Sequence, residues 1–217
     1  MQTGDIGADV TGVLLAGGRS SRMGGREKAL LDLAGRPMLQ HVADRFCPQV
    51  ARAVINANGD PARFAGFALP VVADGIAGQP GPLAGLLTGM AWAQRETPSA
   101  RFIATAPADC PFLPRDLIFR LMAALTGSDS PCAIAATGGQ RHPVAGLWRI
   151  GLAASAADAL ARNMRALHRF ADAQGCAVAE FSPVSIGGTD IDPFFNVNTP
   201  EDLERAEMLL GTEDVRA

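Results

Sequence analysis

The sequence has few of the residues on which several classes of protein depend. Its four cysteines lie far apart and form no Cys-x-x-Cys pair, at Cys47, Cys110, Cys132 and Cys176. This spacing argues against a zinc knuckle or a secreted disulfide scaffold and favours a reducing compartment. The sequence has no apolar run near the ~20 residues of a membrane span and no start typical of a signal peptide. We therefore expect a soluble, cytoplasmic protein with no membrane partner.

Positive charge is also scarce. Nineteen Lys and Arg residues stand against 22 Asp and Glu residues, which gives a net charge of -3 and a pI near 5.6. A broad basic face for nucleic acid is therefore not expected. An anionic substrate would have to be bound by a few local charges and by backbone N–H groups.

Lysine, asparagine and tyrosine are rare, whereas alanine, glycine and arginine are abundant. The chain has 39 Ala, 24 Gly and 18 Arg residues, but one Lys, five Asn and no Tyr. Drift toward GC-rich codons produces such a bias by removing lysine and asparagine. The lysine and asparagines that remain are therefore candidates for functional roles. Lys28 lies in a glycine-rich segment, and four asparagines form two Asn-x-Asn pairs, Asn56 with Asn58 and Asn196 with Asn198.

The order of apolar segments predicts an α/β fold. At 217 residues, the chain can bury a core without a disulfide or a metal. Strand-like and helix-like segments alternate, which predicts a mostly parallel sheet with helices on both faces. The predicted strands are 10–16, 51–57, 69–73, 101–106, 132–136, 144–148 and 176–181, and the predicted helices are 37–46, 82–95, 114–125, 152–162, 165–174 and 200–210. We expect one domain over 1–217, with an ordered core over about 10–210.

The first predicted strand runs into a glycine-rich loop, Leu15-Ala-Gly-Gly-Arg-Ser-Ser-Arg-Met-Gly-Gly-Arg-Glu-Lys28. In an open α/β sheet, ligands bind outside the carboxyl ends of the strands, where this loop must lie. Glycines let backbone N–H groups approach phosphate oxygens, and Arg22 and Lys28 add positive charge. The register fits neither a Walker A loop nor a dinucleotide fingerprint. The loop is predicted to bind a polyphosphate, and a flexible surface turn is the alternative.

Polar side chains follow three more predicted strands. Asn56 ends the second strand, Asp74 follows the third, and Asp109 follows the fourth between two prolines. Parallel strands end at one edge of a sheet, so we expect these side chains to lie on the same edge as the loop. Magnesium usually takes one or two carboxylates plus phosphate oxygens and water, which makes Asp109 a candidate ligand. The alternative for Asp109 is an ordinary turn aspartate.

Other nucleophiles and bases are not favoured. Ser20 and Ser21 have no identifiable His and Asp partners, so a triad hydrolase is not expected. His41 and His168 lie in predicted helices and His142 in a predicted turn, and we interpret all three as structural or surface residues.

Six motifs occur in order over about residues 10–210. They are Leu15-Ala-Gly-Gly-x3-Arg22-Met-Gly-Gly-x2-Lys28, Gln40-His-Val-Ala-Asp44, Asn56-Ala-Asn58, Pro80-Gly-Pro-Leu-Ala-Gly85, Asp109-Cys-Pro-Phe-Leu-Pro114 and Asn196-Val-Asn-Thr-Pro-Glu-Asp-Leu203. Together they resemble the molybdenum cofactor guanylyltransferase, or MobA, family. The stretch after Asp129 matches weakly, so pterin contacts there stay unassigned.

The resemblance implies a Rossmann-like nucleotidyltransferase that transfers GMP from GTP to the terminal phosphate of Mo-molybdopterin, giving the guanine dinucleotide cofactor and pyrophosphate. The residues implied in catalysis are Lys28, Arg22 and Asp109, with Asp109 holding Mg²⁺, or Mn²⁺ as the alternative. The implied GTP contacts are Leu15, Ala16, Gly17, Lys28, Asn56, Asp74 and Asp109. The residues implied at the pterin site or reaction centre are Gly25, Gly85, Asn196 and Asn198. Ala108 departs from the cysteine common in the family, which alters the lining of the site and not the metal ligand.

Two alternatives stay open. A cytidylyltransferase acting on molybdopterin or a sugar phosphate has a similar loop, but such enzymes tend to carry Ala-Ala-Gly in place of Ala16-Gly17-Gly18. A GTP-binding module without turnover is disfavoured by the presence of Lys28 and Asp109. The resemblance further implies a monomer that uses GTP and molybdopterin, with transient contacts to molybdenum-insertion proteins and to chaperones of apo-molybdoenzymes.

Overall fold

Eleven strands and six α-helices form within residues 7–17, 27–75 and 81–213, which the computed structural model describes. The strands are β1 (Val10–Leu15), β2 (Asp32–Leu33), β3 (Arg36–Pro37), β4 (Arg52–Asn56), β5 (Val71–Val72), β6 (Phe102–Pro107), β7 (Cys132–Thr137), β8 (Gln140–Arg149), β9 (Ala177–Phe181), β10 (Val184–Ile186) and β11 (Thr189–Ile191). The α-helices are α1 (Met38–Phe46), α2 (Pro82–Glu96), α3 (Leu117–Thr126), α4 (Ala153–Ala161), α5 (Leu167–Gln174) and α6 (Pro200–Glu213).

Seven strands form one sheet in the order β5-β4-β1-β6-β8-β7-β9. The pairs β5–β4, β4–β1, β1–β6 and β7–β9 are parallel, which confirms the prediction of a mostly parallel sheet. β8 is antiparallel to both of its neighbours, a direction that was not predicted. The reason is the link from β7, where Gly138 and Gly139 adopt φ of 56° and 81°. A two-residue turn with positive φ joins antiparallel strands only.

β8 also begins earlier than the predicted strand 144–148, and the predicted turn at His142 is wrong. His142 lies within β8 and pairs with Ala135 of β7, whereas Gly146 pairs with Ile134. Pro143 falls in this shift of register. Proline has no N–H to donate to a sheet, so a bulge allows the strand to continue through it.

Helices cover both faces of the sheet, as predicted. Val10 and Leu14 of β1 pack into an apolar cluster with Leu121 of α3 and other side chains of α1 and α3. Val13 points to the other face, where it packs with Leu86 of α2 and with side chains of α4 and α5. This alternation follows from the twofold period of a strand. Of the helices described, none combines the length and the apolar character needed to cross a bilayer.

A third apolar cluster joins two small hairpins that were not predicted, β2–β3 and β10–β11. It also includes side chains of α1, of α6 and of the turns that approach the sheet edge. The buried members of the whole cluster are Leu33, Met38, Phe112, Ile186, Ile191, Val197, Ala206, Leu209 and Leu210. Strands of two or three residues are too short to show a period of two in the sequence. The burial of their apolar side chains in this cluster stabilises the two hairpins.

Replacing Gly89 by alanine should destabilise the fold, because Gly89 lets α2 lie directly on β1. A Cβ at Gly89 would lie 2.4 Å from Cγ2 of Val13. We expect the free energy of unfolding to fall by about 1–2 kcal/mol, since overpacking typically costs more than the helix propensity gained from alanine. Chemical denaturation measures the change. Gly151→Ala is the control, because a Cβ there would meet no described atom within 4 Å outside its own local backbone. An equal effect in both variants would contradict the prediction.

Candidate active site at the carboxyl edge of the sheet

The carboxyl ends of β5, β4, β1 and β6 lie side by side. Backbone pairing continues one residue past the ends of β1 and β6. Ala16 N–H donates to Asn56 O (2.9 Å), and Ala108 N–H donates to Leu15 O (3.2 Å). Leu15, Ala16 and Gly17 therefore leave β1 between Asn56 and the turn that carries Asp109. The prediction that polar strand ends share one edge is confirmed.

Lys28 connects the turn after β6 with the segment before α6. It begins a short 3-10 helix, Lys28–Leu30, which is anchored by buried Ala29. Its Nζ donates to Oδ2 of Asp109 at 2.7 Å and to Oδ1 of Asn198. The side chains of Lys28 and Asp109 are 15% and 22% exposed, so the pair is only partly hydrated. Three residues that the sequence analysis singled out separately are thus in direct contact.

Asn196 and Asn198 belong to residues 192–199, here called the asparagine segment, which lies against the turn after β6. Val197 N–H donates to Asp109 O at 3.0 Å. The single S–H group of Cys110 faces two acceptors of this segment, Oδ1 of Asn196 at 3.1 Å and the carbonyl oxygen of Phe194 at 3.3 Å. Burial, together with the charge of Asp109, raises the pKa of Cys110 well above its usual value, so the sulfur keeps the proton that it donates. The segment is therefore fixed to the backbone of Asp109 and to the side chain of Cys110, the residue that follows it.

A helix cap fixes the other end of the asparagine segment. Oδ2 of Asp202 accepts from the N–H groups of Asn198 and Thr199, both at 2.9 Å, and Thr199 Oγ1 accepts from Asp202 N–H at 3.2 Å. This reciprocal pattern is a capping box at the start of α6, and it confirms the predicted cap at Thr199. Burial works in the opposite direction, but these N–H donors lower the pKa of Asp202.

Asn56, Asn58 and Asp74 form a second polar cluster, at the ends of β4 and β5. The Nδ2 groups of Asn56 and Asn58 each donate to one oxygen of the Asp74 carboxylate at 2.9 Å. Oδ1 of Asn58 accepts from Asp74 N–H, also at 2.9 Å. Sequence reasoning did not include Asn58 among the site residues, although the Asn-x-Asn pairing was a signal for it. Both oxygens of Asp74 thus have fixed partners.

Gly85 lies under this second cluster rather than beside Lys28. A Cβ there would be 2.4 Å from both Oδ1 of Asn56 and Cδ2 of Leu15. Glycine is needed because α2 approaches the ends of β1 and β4 this closely. Arg22 and Gly25, which the resemblance places in the site, lie outside the described residues.

Arg63, which sequence reasoning missed, links two parts of the edge: Glu27, next to Lys28, and the cluster of Asn56, Asn58 and Asp74. Its guanidinium donates to the Glu27 carboxylate, next to Lys28, and to Asn58 O. Arg63 belongs to a 3-10 helix, Pro61–Phe67, that Asp60 caps. The irregular segment after β4 gave no periodic signal that would have revealed it.

A cleft of about 690 Å³ lies at the opposite edge of the sheet. Its lining includes Gly7 and Ala51, which precede β1 and β4, and Arg115 near the start of α3. The strands begin at this edge, whereas open α/β sheets bind ligands where parallel strands end. The carboxyl edge is therefore the candidate active site.

Solved structures share this fold. Molybdopterin-guanine dinucleotide biosynthesis protein A from Archaeoglobus fulgidus superposes with a TM-score of 0.68 at 19% identity, over 93% of this chain and 98% of that one. A CMP:2-keto-3-deoxy-manno-octonic acid synthetase complexed with CTP superposes with a TM-score of 0.67 at 15% identity, over 95% and 99%. At such identities the likeness confirms the Rossmann-like nucleotidyltransferase fold and does not select a substrate.

Sequence relatives are more specific. A family model, the MobA-like NTP transferase domain, matches residues 12–176. A molybdenum cofactor guanylyltransferase from Rhodopseudomonas palustris strain BisB5 is 48% identical over 91% of this chain and 92% of its own length. One from Bradyrhizobium sp. strain ORS 278 is 47% identical over 94% and 95%. The chain therefore belongs to the MobA-like NTP transferases and, within them, to the molybdenum cofactor guanylyltransferase family.

Proposed function

We propose that this protein transfers GMP from GTP to the terminal phosphate of molybdopterin and releases pyrophosphate. Family membership supports the reaction, and the observation that carries it to this chain is the contact of Lys28 with Asp109 and Asn198 at the carboxyl edge. That contact puts an ammonium suited to phosphate oxygens beside a carboxylate suited to a divalent cation.

The reaction needs positioning and charge neutralisation rather than a protein nucleophile. An oxygen of the molybdopterin phosphate attacks the α-phosphorus of GTP in line. A new P–O bond forms while the bond from the α-phosphorus to the oxygen bridging to the β-phosphate breaks, and pyrophosphate leaves with that oxygen. Because no side chain becomes bonded to the substrate, the protein would act by orienting two phosphates and balancing their charge.

The Lys28 group (Lys28, Asp109 and Asn198) and the Asn56–Asp74 cluster would each bind a different part of the substrates. The Asn56–Asp74 cluster, together with Leu15 and Gly85, would contact the guanosine part. Lys28 and the backbone after Leu15 would bind the phosphates. With its Oδ1 bound to Cys110, the amide of Asn196 would present its Nδ2 group to an oxygen of the pterin substrate.

Asp109 fits a magnesium or manganese ion because it is a hard oxygen donor at a strand end. Within residues 7–17, 27–75 and 81–213, no three His, Cys, Asp or Glu side chains group together as ligands. An ion at Asp109 would therefore depend on phosphate oxygens and water, which is common for Mg²⁺. When bound, the ion would supply charge neutralisation at the phosphates.

The purified protein, supplied with Mg²⁺ and molybdopterin, should release pyrophosphate from GTP in preference to CTP. We expect kcat/KM for GTP to exceed that for CTP by at least about 100-fold, because a site that hydrogen-bonds one base leaves its polar groups unpaired with another. The measurement follows pyrophosphate with each nucleotide. A preference for CTP would identify a cytidylyltransferase, and GTP binding without pyrophosphate release would identify a binding module.

Asp109→Asn should abolish turnover while leaving the fold intact. The amide keeps the shape of the side chain but removes the charge that Lys28 and a cation require. We expect kcat to fall by at least about 100-fold. Pyrophosphate release and circular dichroism measure activity and folding. The control is Asp116→Asn, which changes an exposed carboxylate before α3. A near-normal rate in D109N would remove Asp109 from the mechanism.

Lys28→Arg should lose activity although it keeps the positive charge. The ammonium meets Asp109 and Asn198 in a partly buried position, and a planar guanidinium cannot reproduce both contacts at the same place. We expect kcat to fall at least about tenfold. The control is the reverse exchange at a surface pair, Arg36→Lys, since Arg36 and Asp44 are 49% and 42% exposed. Full activity in K28R would show that any cation serves.

A further inference from the structure

His142 of β8 packs against the asparagine segment at a point away from Lys28. Its ring stacks on Phe194, with the ring centroids 4.6 Å apart and the planes at 25°. Its Nε2 atom lies 3.3 Å from Oδ2 of Asp192. Since Phe194 and Asp192 both belong to the segment, His142 contacts it twice.

The stack on Phe194 is the stronger of the two contacts. The His142 side chain is only 10% exposed. Burial lowers the pKa of His142, although the carboxylates of Asp192 and Glu180 act in the opposite direction. The ring is therefore neutral near pH 7, and stacking buries no charge. Among the described residues, Nε2 has no partner in hydrogen-bond geometry. The stacked ring therefore contributes more to the contact with the segment than the approach of Nε2 to Asp192 does.

Phe194 is held from several sides. Phe181 of β9 meets it edge-on, with centroids 5.2 Å apart. Its N–H donates to Oδ1 of Asp192 at 2.9 Å, and its carbonyl oxygen lies 3.3 Å from the sulfur of Cys110, as the second acceptor that the thiol faces. Phe194 lies two residues before the Asn-x-Asn motif of the segment. A shift of this ring would therefore act on the segment that carries both asparagines.

We propose that His142 is a positioning residue of the reaction: by stacking on Phe194, it sets the asparagine segment so that Asn198 meets the ammonium of Lys28. The inference rests on the proposed function for its chemical purpose. His142 would act through the segment and not on the substrates.

Lys28 itself provides a readout that does not require activity. The chain has one lysine, so protein made with ¹³C-lysine gives the Lys28 Cε signal without background in a two-dimensional NMR spectrum. We expect His142→Ala to shift this signal in the same direction as Asn198→Ala does. His142→Phe, which keeps a flat ring on Phe194, should leave it near the wild-type position. The matched control is His168→Ala, which removes an exposed histidine of α5.

Kinetics separate positioning from a general loss of structure. We expect His142→Ala to lower kcat for pyrophosphate release about 10- to 100-fold, because small misplacements of a reacting group are costly. The Kd for GTP should change less than kcat, since the guanosine part would be bound by the Asn56–Asp74 cluster and the phosphates in part by the backbone after Leu15. His142→Phe should restore most of kcat.

A double-mutant cycle tests whether His142 acts through Asn198. In the Asn198→Ala background, His142→Ala should lower kcat by less than about twofold, because the contact that it positions is already absent. Equal losses in both backgrounds would overturn the inference, as would an unmoved Lys28 signal in folded His142→Ala protein. If that variant does not fold, His142→Leu, which keeps apolar volume without a flat ring, takes its place. If His142→Ala moves the Lys28 signal as expected but the wild-type protein releases no pyrophosphate, the proposed function fails and the positioning role stands.

Discussion

The contact between Lys28 and Asp109 is the interaction around which the candidate site is built. It joins the segment after β1 to the turn after β6, and it depends on the parallel pairing that brings Leu15 opposite Pro107. Each charge is partly removed from water, so either one alone would be poorly compensated. The pair therefore keeps the ammonium of Lys28 and the carboxylate of Asp109 at a fixed separation.

The two polar groups of the edge are preorganised by different means. The Asn56–Asp74 cluster is built locally, because its members follow neighbouring strands and bind one another directly. The Lys28 group needs Asn198, which lies beyond residue 176, where the match to the NTP transferase domain ends. The Asn56–Asp74 cluster thus lies within the shared domain, and the partner that completes the Lys28 contact comes from the part of the chain that follows it.

Much of the edge could be predicted from the sequence, for a simple physical reason. β1, β4 and β6 are apolar runs that stop at glycine or polar residues, and parallel strands end together. That rule alone brought Asn56, Asp74 and Asp109 to one place. The direction of β8 was missed because an apolar run carries no sign of direction. The information lay instead in the Gly138-Gly139 turn, which requires a hairpin.

The rest of the site depends on packing that no local pattern encodes. Locally, His142 is only a polar residue before a proline, and it meets Phe194 only because β8 returns antiparallel beside β7. The hairpin β10–β11 is too short to be recognised, yet the apolar cluster that stabilises it also buries Val197 of the asparagine segment. Tertiary contacts hold that segment at Phe194, and the helix cap from Asp202 holds it at Asn198 and Thr199. The whole fold therefore sets the distance between the segment and Lys28. Under the positioning role proposed for His142, substitutions away from the edge would therefore change the reaction without touching a substrate.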